Sequence, residues 1–228
     1  YNITDQTSTT ANITAKALTA TASASNKVYD GSSAATVTLS LSGFIGSETV
    51  TSTNTSTFNN KNAGTGKTVT VNSITLANGS NGGLAANYSI STGQTTTANI
   101  TAKSLTVSGI TASNKTYDGN AVATLNTGSV AYSGLVDGDT FDGTYTGAFS
   151  DKNVGTGKTV TITSSYSGAD VSNYSVTDQS STTANITAKS LTVSGITDKT
   201  YDGSTSATLT GTAVYSGLVS GDIFTGSY

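Results

Sequence analysis

Residues 96–111, TTANITAKSLTVSGIT, recur without change at 182–197, and TTANITAKALTA at 9–20 is a close variant. NKVYDG at 26–31 returns as NKTYDG at 114–119 and DKTYDG at 198–203, while KNAGTGKTVTV at 61–71 returns as KNVGTGKTVTI at 152–162. NYSI at 87–90 matches NYSV at 173–176, and Tyr1 aligns with Tyr88 and Tyr174. The unit is about 86 residues long, so the chain must fold as an array whose members each solve the same packing problem. We read residues 1–15 as the last strand of one repeat, 16–102 and 103–188 as two whole repeats, and 189–228 as the first part of another, with Tyr228 equivalent to Tyr145 in mid-repeat.

The repeats are strand-like. Ala35, Val37, Leu39 and Leu41 alternate, as do Val69 with Val71 and Val160 with Ile162, which is the period of a pleated strand with one buried face. No window sustains a helical stripe for two turns, and the abundant Thr, Val and Ser disfavour helix. Turn signals separate the runs: YDG, NGSNGG, GLVDGD, FDG and NVGTG. About seven short strands in each repeat predict an all-β chain, a tandem array of immunoglobulin-like β-sandwiches. A β-grasp-like repeat is the alternative, disfavoured by the missing helix. At the junction Ala98, Ile100 and Ala102 alternate on even numbers, then Leu105 and Val107 on odd ones, with neither Pro nor a Gly-rich linker between. One strand is therefore expected to leave the core of one repeat and open the next, giving a stiff joint and about 35 Å per repeat.

Composition removes much chemistry. The 228 residues contain no His, Cys, Met, Trp, Pro or Arg. Ordinary zinc, copper and haem sites, thiol nucleophiles and Ser-His-Asp triads need residues this chain lacks. A net charge of −3 without Arg gives no electrostatic footprint for nucleic acid, and no run is long and apolar enough for membrane insertion. The opening YNITDQTSTT lacks the basic start and apolar block of a signal peptide. Hydrophobic residues make up 34% and charged residues 10%. That low charge argues against a disordered polyelectrolyte, and zero Cys suits either a reducing cytoplasm or a surface protein exported unfolded.

Several stretches invite a site. GTGKT at 64–68 resembles the tail of a phosphate-binding loop, but Lys61 and Lys152 stand where its first Gly belongs, and a strand-like TVTV or TVTI follows where a helix is needed. We expect no nucleotide and no other cofactor. Gly64 and Gly66, with Gly155 and Gly157, are expected to supply positive φ in a hairpin turn, and Lys67 and Lys158 to open the next strand with their heads in solvent. In Tyr29-Asp30-Gly31, Tyr117-Asp118-Gly119 and Tyr201-Asp202-Gly203 the ring is expected to close one end of a core, its hydroxyl reaching a backbone group. The Asp would cap a turn whose Gly takes φ > 0; a ligand platform is the competing reading. Asp137, Asp139 and Asp142 have the oxygen chemistry for calcium, but the equivalent stretches GSETVTS and SGDIFTG do not repeat it, so loop solvation is preferred and no metal is assigned. Lys103 with Asn153 or Asn173, and Asp118 as the acid, are conceivable members of a Lys–Asn isopeptide crosslink, against which stands the ordinary exposure of lysine. Sequons at Asn12, Asn99 and Asn185 need no glycan in a chain so rich in Ser and Thr.

All ten lysines occupy four repeat positions, 16/103/189, 27/115/199, 61/152 and 67/158. Of the thirteen acids only Asp30/118/202 and Glu48/Asp139/Asp222 hold their place. Something in each repeat requires those lysines.

With YDG, KNxGTGKTVTV, NYS and ANITAK in that order over the whole chain, the sequence resembles the YDG repeats of very large bacterial surface exoproteins, the filamentous-haemagglutinin-like adhesins. The resemblance implies a non-catalytic all-β repeat, extracellular, at the bacterial surface or secreted, within a stalk that holds adhesive or effector regions away from the cell. The expected partners are neighbouring repeats of the array. Two further readings stay open: repeats that bind host or matrix glycans through Tyr and Asn on end loops, and a filament in which a strand of one chain completes another copy.

Overall fold

The computed structural model describes residues 1–5, 7–195, 199–206 and 212–226. Asp198, which opens the third YDG copy, the last two residues of the repeated segment 182–197, and Tyr228 lie outside the described residues. The chain is all-β, with no α-helix among the described residues and two single 3-10 turns, Ala85–Asn87 and Val171–Asn173. It divides into two compact units. The first comprises 1–104 together with 136–140 and 169–175; the second comprises 105–135, 141–168 and 176–228. Two loops that belong by sequence to the second repeat are thus built into the first unit.

The first unit contains β1 (Lys16–Ala17), β2 (Thr19–Ala24), β3 (Lys27–Val28), β4 (Ala34–Ala35), β5 (Val37–Ser42), β6 (Val50–Phe58), β7 (Gly64–Asn78), β8 (Tyr88–Ser89) and β9 (Thr95–Thr101). Five strands form a mixed sheet in the order β3-β9-β7-β6-β4. β3 runs parallel to β9, with Lys27 opposite Ile100, and β6 is antiparallel to the long β7, with Phe58 opposite Val69. β2 and β5 form a separate antiparallel pair, and β1 lies parallel to β8. Asn54 on β6 donates from Nδ2 to the Val37 carbonyl of β5 at 2.9 Å, linking the five-stranded sheet to the β2–β5 pair. The alternating apolar residues face inward: Val37, Phe58, Val69, Val71, Ala98 and Ile100 are buried. Each buried Val, Ile or Phe side chain contributes about 1.5–3 kcal/mol. Leu18, Val50 and Tyr88 form a second cluster with Leu41, Phe44 and Leu76.

The second unit is built likewise from β10 (Lys103–Ser108, whose first two residues belong to the first unit), β11 (Thr111–Ala112), β12 (Lys115–Thr116), β13 (Val122–Ala123), β14 (Leu125–Asn126), β15 (Ala131–Ser133), β16 (Asp142–Phe149), β17 (Gly155–Ser167), β18 (Tyr174–Thr177, shared likewise), β19 (Ser181–Thr187), β20 (Thr192–Ser194) and β21 (Val214–Ser216). Its five-stranded sheet runs β12-β19-β17-β16-β13. Ala123, Phe149, Val160, Ala184 and Ile186 make a core cluster, with Leu125 and Tyr117 against it.

Ala98 and Ile100 on β9 are buried, and Leu105 and Val107 on β10 are buried on the opposite phase. Ala102 alone separates the two strands, and it is exposed. The even-numbered core pattern therefore ends at Ile100, one alternation earlier than the sequence suggests.

Candidate functional site: a buried tyrosine, carboxylate and lysine node

The Tyr-Asp-Gly segment is a turn held by its own neighbours. Asp30 Oδ1 accepts the Ser32 N–H at 2.9 Å and the Lys27 Nζ at 2.7 Å, and Lys27 also donates to the Ser32 carbonyl. Burial raises the Asp30 carboxyl, but bonds from Lys27 and Ser32 outweigh it and hold the group below its ordinary value. The second copy repeats the device, Lys115 reaching Asp118 at 2.8 Å and the Asn120 carbonyl at 2.8 Å. The third does so with Lys199 and Asp202 at 2.8 Å and the Ser204 N–H on Asp202. Gly31, Gly119 and Gly203 take φ of +80°, +83° and +82°, a region in which a side chain is strained.

The turn delivers its tyrosine. Tyr29 follows β3 and extends the parallel ladder by one bond, from its N–H to the Thr101 carbonyl at 2.8 Å. Its ring is 1% exposed. The hydroxyl does not reach a backbone group, as the sequence suggests; it donates to the carboxylate of Asp139, 2.8 Å from Oδ2 and 3.0 Å from Oδ1. Tyr174 donates to the same Oδ2 at 2.5 Å while accepting the Val136 N–H at 2.9 Å, and its ring meets that of Tyr29 edge to face, centroids 5.6 Å apart. Lys61 Nζ lies 3.1 Å from Asp139 Oδ1 and 3.0 Å from Asp170 Oδ1. Asp170 also accepts the Thr140 N–H, and Asn173 Oδ1 accepts the Ala63 N–H at 2.9 Å. All these residues lie within the first compact unit.

The electrostatics follow from this geometry. Burial raises the Asp139 carboxyl, yet donation from Tyr174, Tyr29 and Lys61 brings it below the usual carboxylate range. The Thr140 N–H and then Lys61 lower Asp170. Bonds to Asp170 and Asp139 push Lys61 well above an ordinary lysine. Burial and then Asp139 push Tyr174 up to about 12, and Tyr29 rises for the same reasons. At neutral pH the node is two carboxylates, one ammonium and two neutral phenols, each holding the others. It stores binding energy and has no group poised to exchange a proton near neutrality.

The second unit carries a simpler version, with Tyr117 donating to Asp222 Oδ1 at 3.0 Å and Lys152 3.7 Å from the same oxygen. A Cβ built on Gly31 would stand 2.9 Å from Val136 Cγ1, and one on Gly119 2.6 Å from Val219 Cγ1. The glycine is needed twice over, for its backbone angle and for this approach.

The GTGKT segments are not hairpin turns. Gly64 and Gly155 begin β7 and β17, and the register shifts between Gly64 and Lys67 and between Gly155 and Lys158. Each is a bulge. Only Gly66 and Gly157 take positive φ, +59° and +60°, and their N–H groups donate to Asn99 Oδ1 and Asn185 Oδ1. The lysine heads are not in solvent either: Lys67 bonds Asn60 Oδ1 at 2.6 Å and Lys158 pairs with Asp151 at 2.7 Å, its side chain 11% exposed. The lysine stem lies across the first glycine, where a Cβ on Gly155 would meet Lys158 Cγ and Cδ at 3.3 and 3.2 Å. Bulge, bare glycine and covering lysine give this motif a structural reason to recur.

Among the described residues, no group of three or more acidic side chains is gathered as a metal site, and the Asp139 oxygens are taken by Tyr29, Tyr174 and Lys61. Of the residues considered for a crosslink, Asp118 accepts from Lys115 and Asn173 Oδ1 accepts from the Ala63 N–H. The acceptor roles of Asp170, Asn173, Asn99 and Asn185 were missed by sequence reasoning; the fixed position of Lys61 signalled an acceptor such as Asp170, whereas the three asparagines accept the backbone N–H groups of Ala63, Gly66 and Gly157. Lys16, Lys103 and Lys189 form no ion pair among the described residues, and nothing in the structure explains their recurrence.

A family model for the YDG domain matches residues 14–98 and again 101–184. No curated protein and no solved structure is similar enough to match.

Proposed function

The chain belongs to the YDG domain family, and from that premise we propose that it is a structural stalk or spacer segment of a bacterial extracellular adhesin or surface fibre, built of immunoglobulin-like sandwiches and without catalysis. The observation that carries this reading is the Asp139 node. Residues 136–140 and 169–175, from one sequence repeat, complete the compact unit made by the repeat before it, so successive repeats cannot part without exposing a buried carboxylate. The single residue between β9 and β10 supports the same reading, since a flexible tether would need several. An array of this kind sets distance and resists force by packing and hydrogen bonds alone.

Electron microscopy and small-angle scattering of the purified chain test the mechanical part: particles of one fixed length are expected, and a freely jointed distribution would exclude a stiff spacer. Antibody labelling of intact source cells tests the location; labelling that appears only after lysis would exclude the surface.

A further inference from the structure

The first repeat lays its own opening segment alongside its own closing one. Lys16 stands opposite Tyr88 and Ala17 opposite Ser89, then Lys27 opposite Ile100 and Val28 opposite Thr101, both pairs of strands running parallel. Side chains reinforce the second pair. The Asn99 N–H donates to Asn26 Oδ1 at 2.7 Å, and Thr101 Oγ1 donates to the Lys27 carbonyl at 3.3 Å. With the Tyr29 N–H on the Thr101 carbonyl, segment 26–29 is stitched to the end of β9. Asn99 passes the contact on, since its Oδ1 accepts the Gly66 N–H of the β7 bulge at 2.8 Å.

The second repeat has the same set, bond for bond. Lys115 faces Ile186 and Thr116 faces Thr187 in parallel. The Asn185 N–H donates to Asn114 Oδ1 at 2.7 Å, Thr187 Oγ1 to the Lys115 carbonyl at 3.3 Å, and the Tyr117 N–H to the Thr187 carbonyl at 2.8 Å. Asn185 Oδ1 accepts the Gly157 N–H at 2.7 Å. Asn26 and Asn114 are exposed, so core packing does not account for their recurrence.

Parallel pairing of an early strand with the last one decides how a pull along the chain is met. Tension draws β3 backwards along its axis and β9 forwards along its own. The bonds that cross between them are therefore loaded side by side, in shear. An antiparallel hairpin pulled from its open end would lose its bonds one after another. We propose that segment 26–29 on β9, and its copy 114–117 on β19, is the load-bearing clamp of each repeat, which opens under tension only when these bonds fail together. The inference deepens the spacer reading and rests on it for the tension being met in use; the resistance itself belongs to the fold.

Constant-force stretching of the full chain in optical tweezers tests this. The chain has no Cys, so Ala11→Cys and Ser190→Cys, both at exposed positions, give handles that span the two repeats. Two steps are expected, each lengthening the tether by about 250 Å, since about 86 residues extend at about 3.4 Å each from a folded length of about 35 Å. Asn26→Ala should shorten the lifetime of one step about fivefold at fixed force, and Asn114→Ala that of the other. Asn54→Ala removes the bond from β6 to the Val37 carbonyl and none of the clamp. It should lower stability to denaturant while leaving both lifetimes within about twofold. Thr101→Val keeps the side-chain shape, serves as a second clamp variant if Asn26→Ala does not fold, and should shorten the same step. Lifetimes unmoved by the clamp variants, or moved as much by Asn54→Ala, overturn the proposal. Particles of one fixed length whose steps ignore Asn26 leave the stiff spacer standing without the clamp; a jointed string whose steps depend on Asn26 does the reverse.

Discussion

Asp139→Ala is the perturbation that most directly measures the node. The side chain is 3% exposed and accepts two phenol hydroxyls and one ammonium. A hydrogen bond to a charged group contributes about 1.5–3 kcal/mol, and because the three share one carboxylate their losses do not add in full. Lys61 keeps Asp170 at 3.0 Å, so its charge is not orphaned, but the Tyr29 and Tyr174 hydroxyls are left buried. The expected cost is about 3 kcal/mol. A domain of this size shifts by about 4 °C for each kcal/mol, so the melting transition of the first unit should fall by about 12 °C. Scanning calorimetry of the full chain reads this, with exposed Asp137→Ala as the control. Asp139→Asn keeps the shape and one acceptor and should lose about half as much. In a double-mutant cycle with Tyr29→Phe the coupling should reach about 1–2 kcal/mol. A shift below about 4 °C, a control that loses as much, or strictly additive losses would refute the node as a shared source of stability.

Gly31→Ala should destabilise the first unit by about 2 kcal/mol or more, combining backbone strain with the Val136 contact; Gly203→Ala has the strain alone and should cost less, as denaturant titration will show. Gly66→Ala should cost about 1–2 kcal/mol for its positive φ and Gly64→Ala less, since its Cβ would meet only the flexible Lys67 stem; equal losses would mean that the bulge is wrongly placed. On the acid side, Asp30, Asp118, Asp139, Asp151, Asp170 and Asp202 are all lowered in the fold. Their contribution is therefore complete above the unfolded carboxylate value of about 4 and drains as pH falls through the folded values, so a melting temperature that stays level well below pH 4 would contradict the bonding described. On the alkaline side, Tyr29, Tyr88, Tyr145, Tyr166 and Tyr174 are raised. Their contribution is present below the unfolded tyrosine value of about 10 and lost as pH rises through the folded values; an ultraviolet titration in which all eleven tyrosines ionise together near 10 in the folded chain would exclude the buried phenols.

Much of this protein is readable from residues that are neighbours in the chain. Alternating Val and Thr specify strands. Asp30 can bond the Ser32 N–H, and Lys27 can reach Asp30, without help from any distant segment, which is why the Tyr-Asp-Gly turn is visible three times. What tertiary structure decided are the partners that arrive from afar. Tyr29 and Asp139 are 110 positions apart, and no local pattern distinguishes a hydroxyl aimed at a carboxylate from one aimed at a backbone carbonyl. Gly64 and Gly66 look alike in GTG; Asn99, brought alongside on β9, selects Gly66 for the left-handed angle, and Lys67 folds over Gly64. Short-range bonding is encoded by spacing, whereas long-range bonding depends on which strands the core brings together, and that is settled only when the sheet has closed.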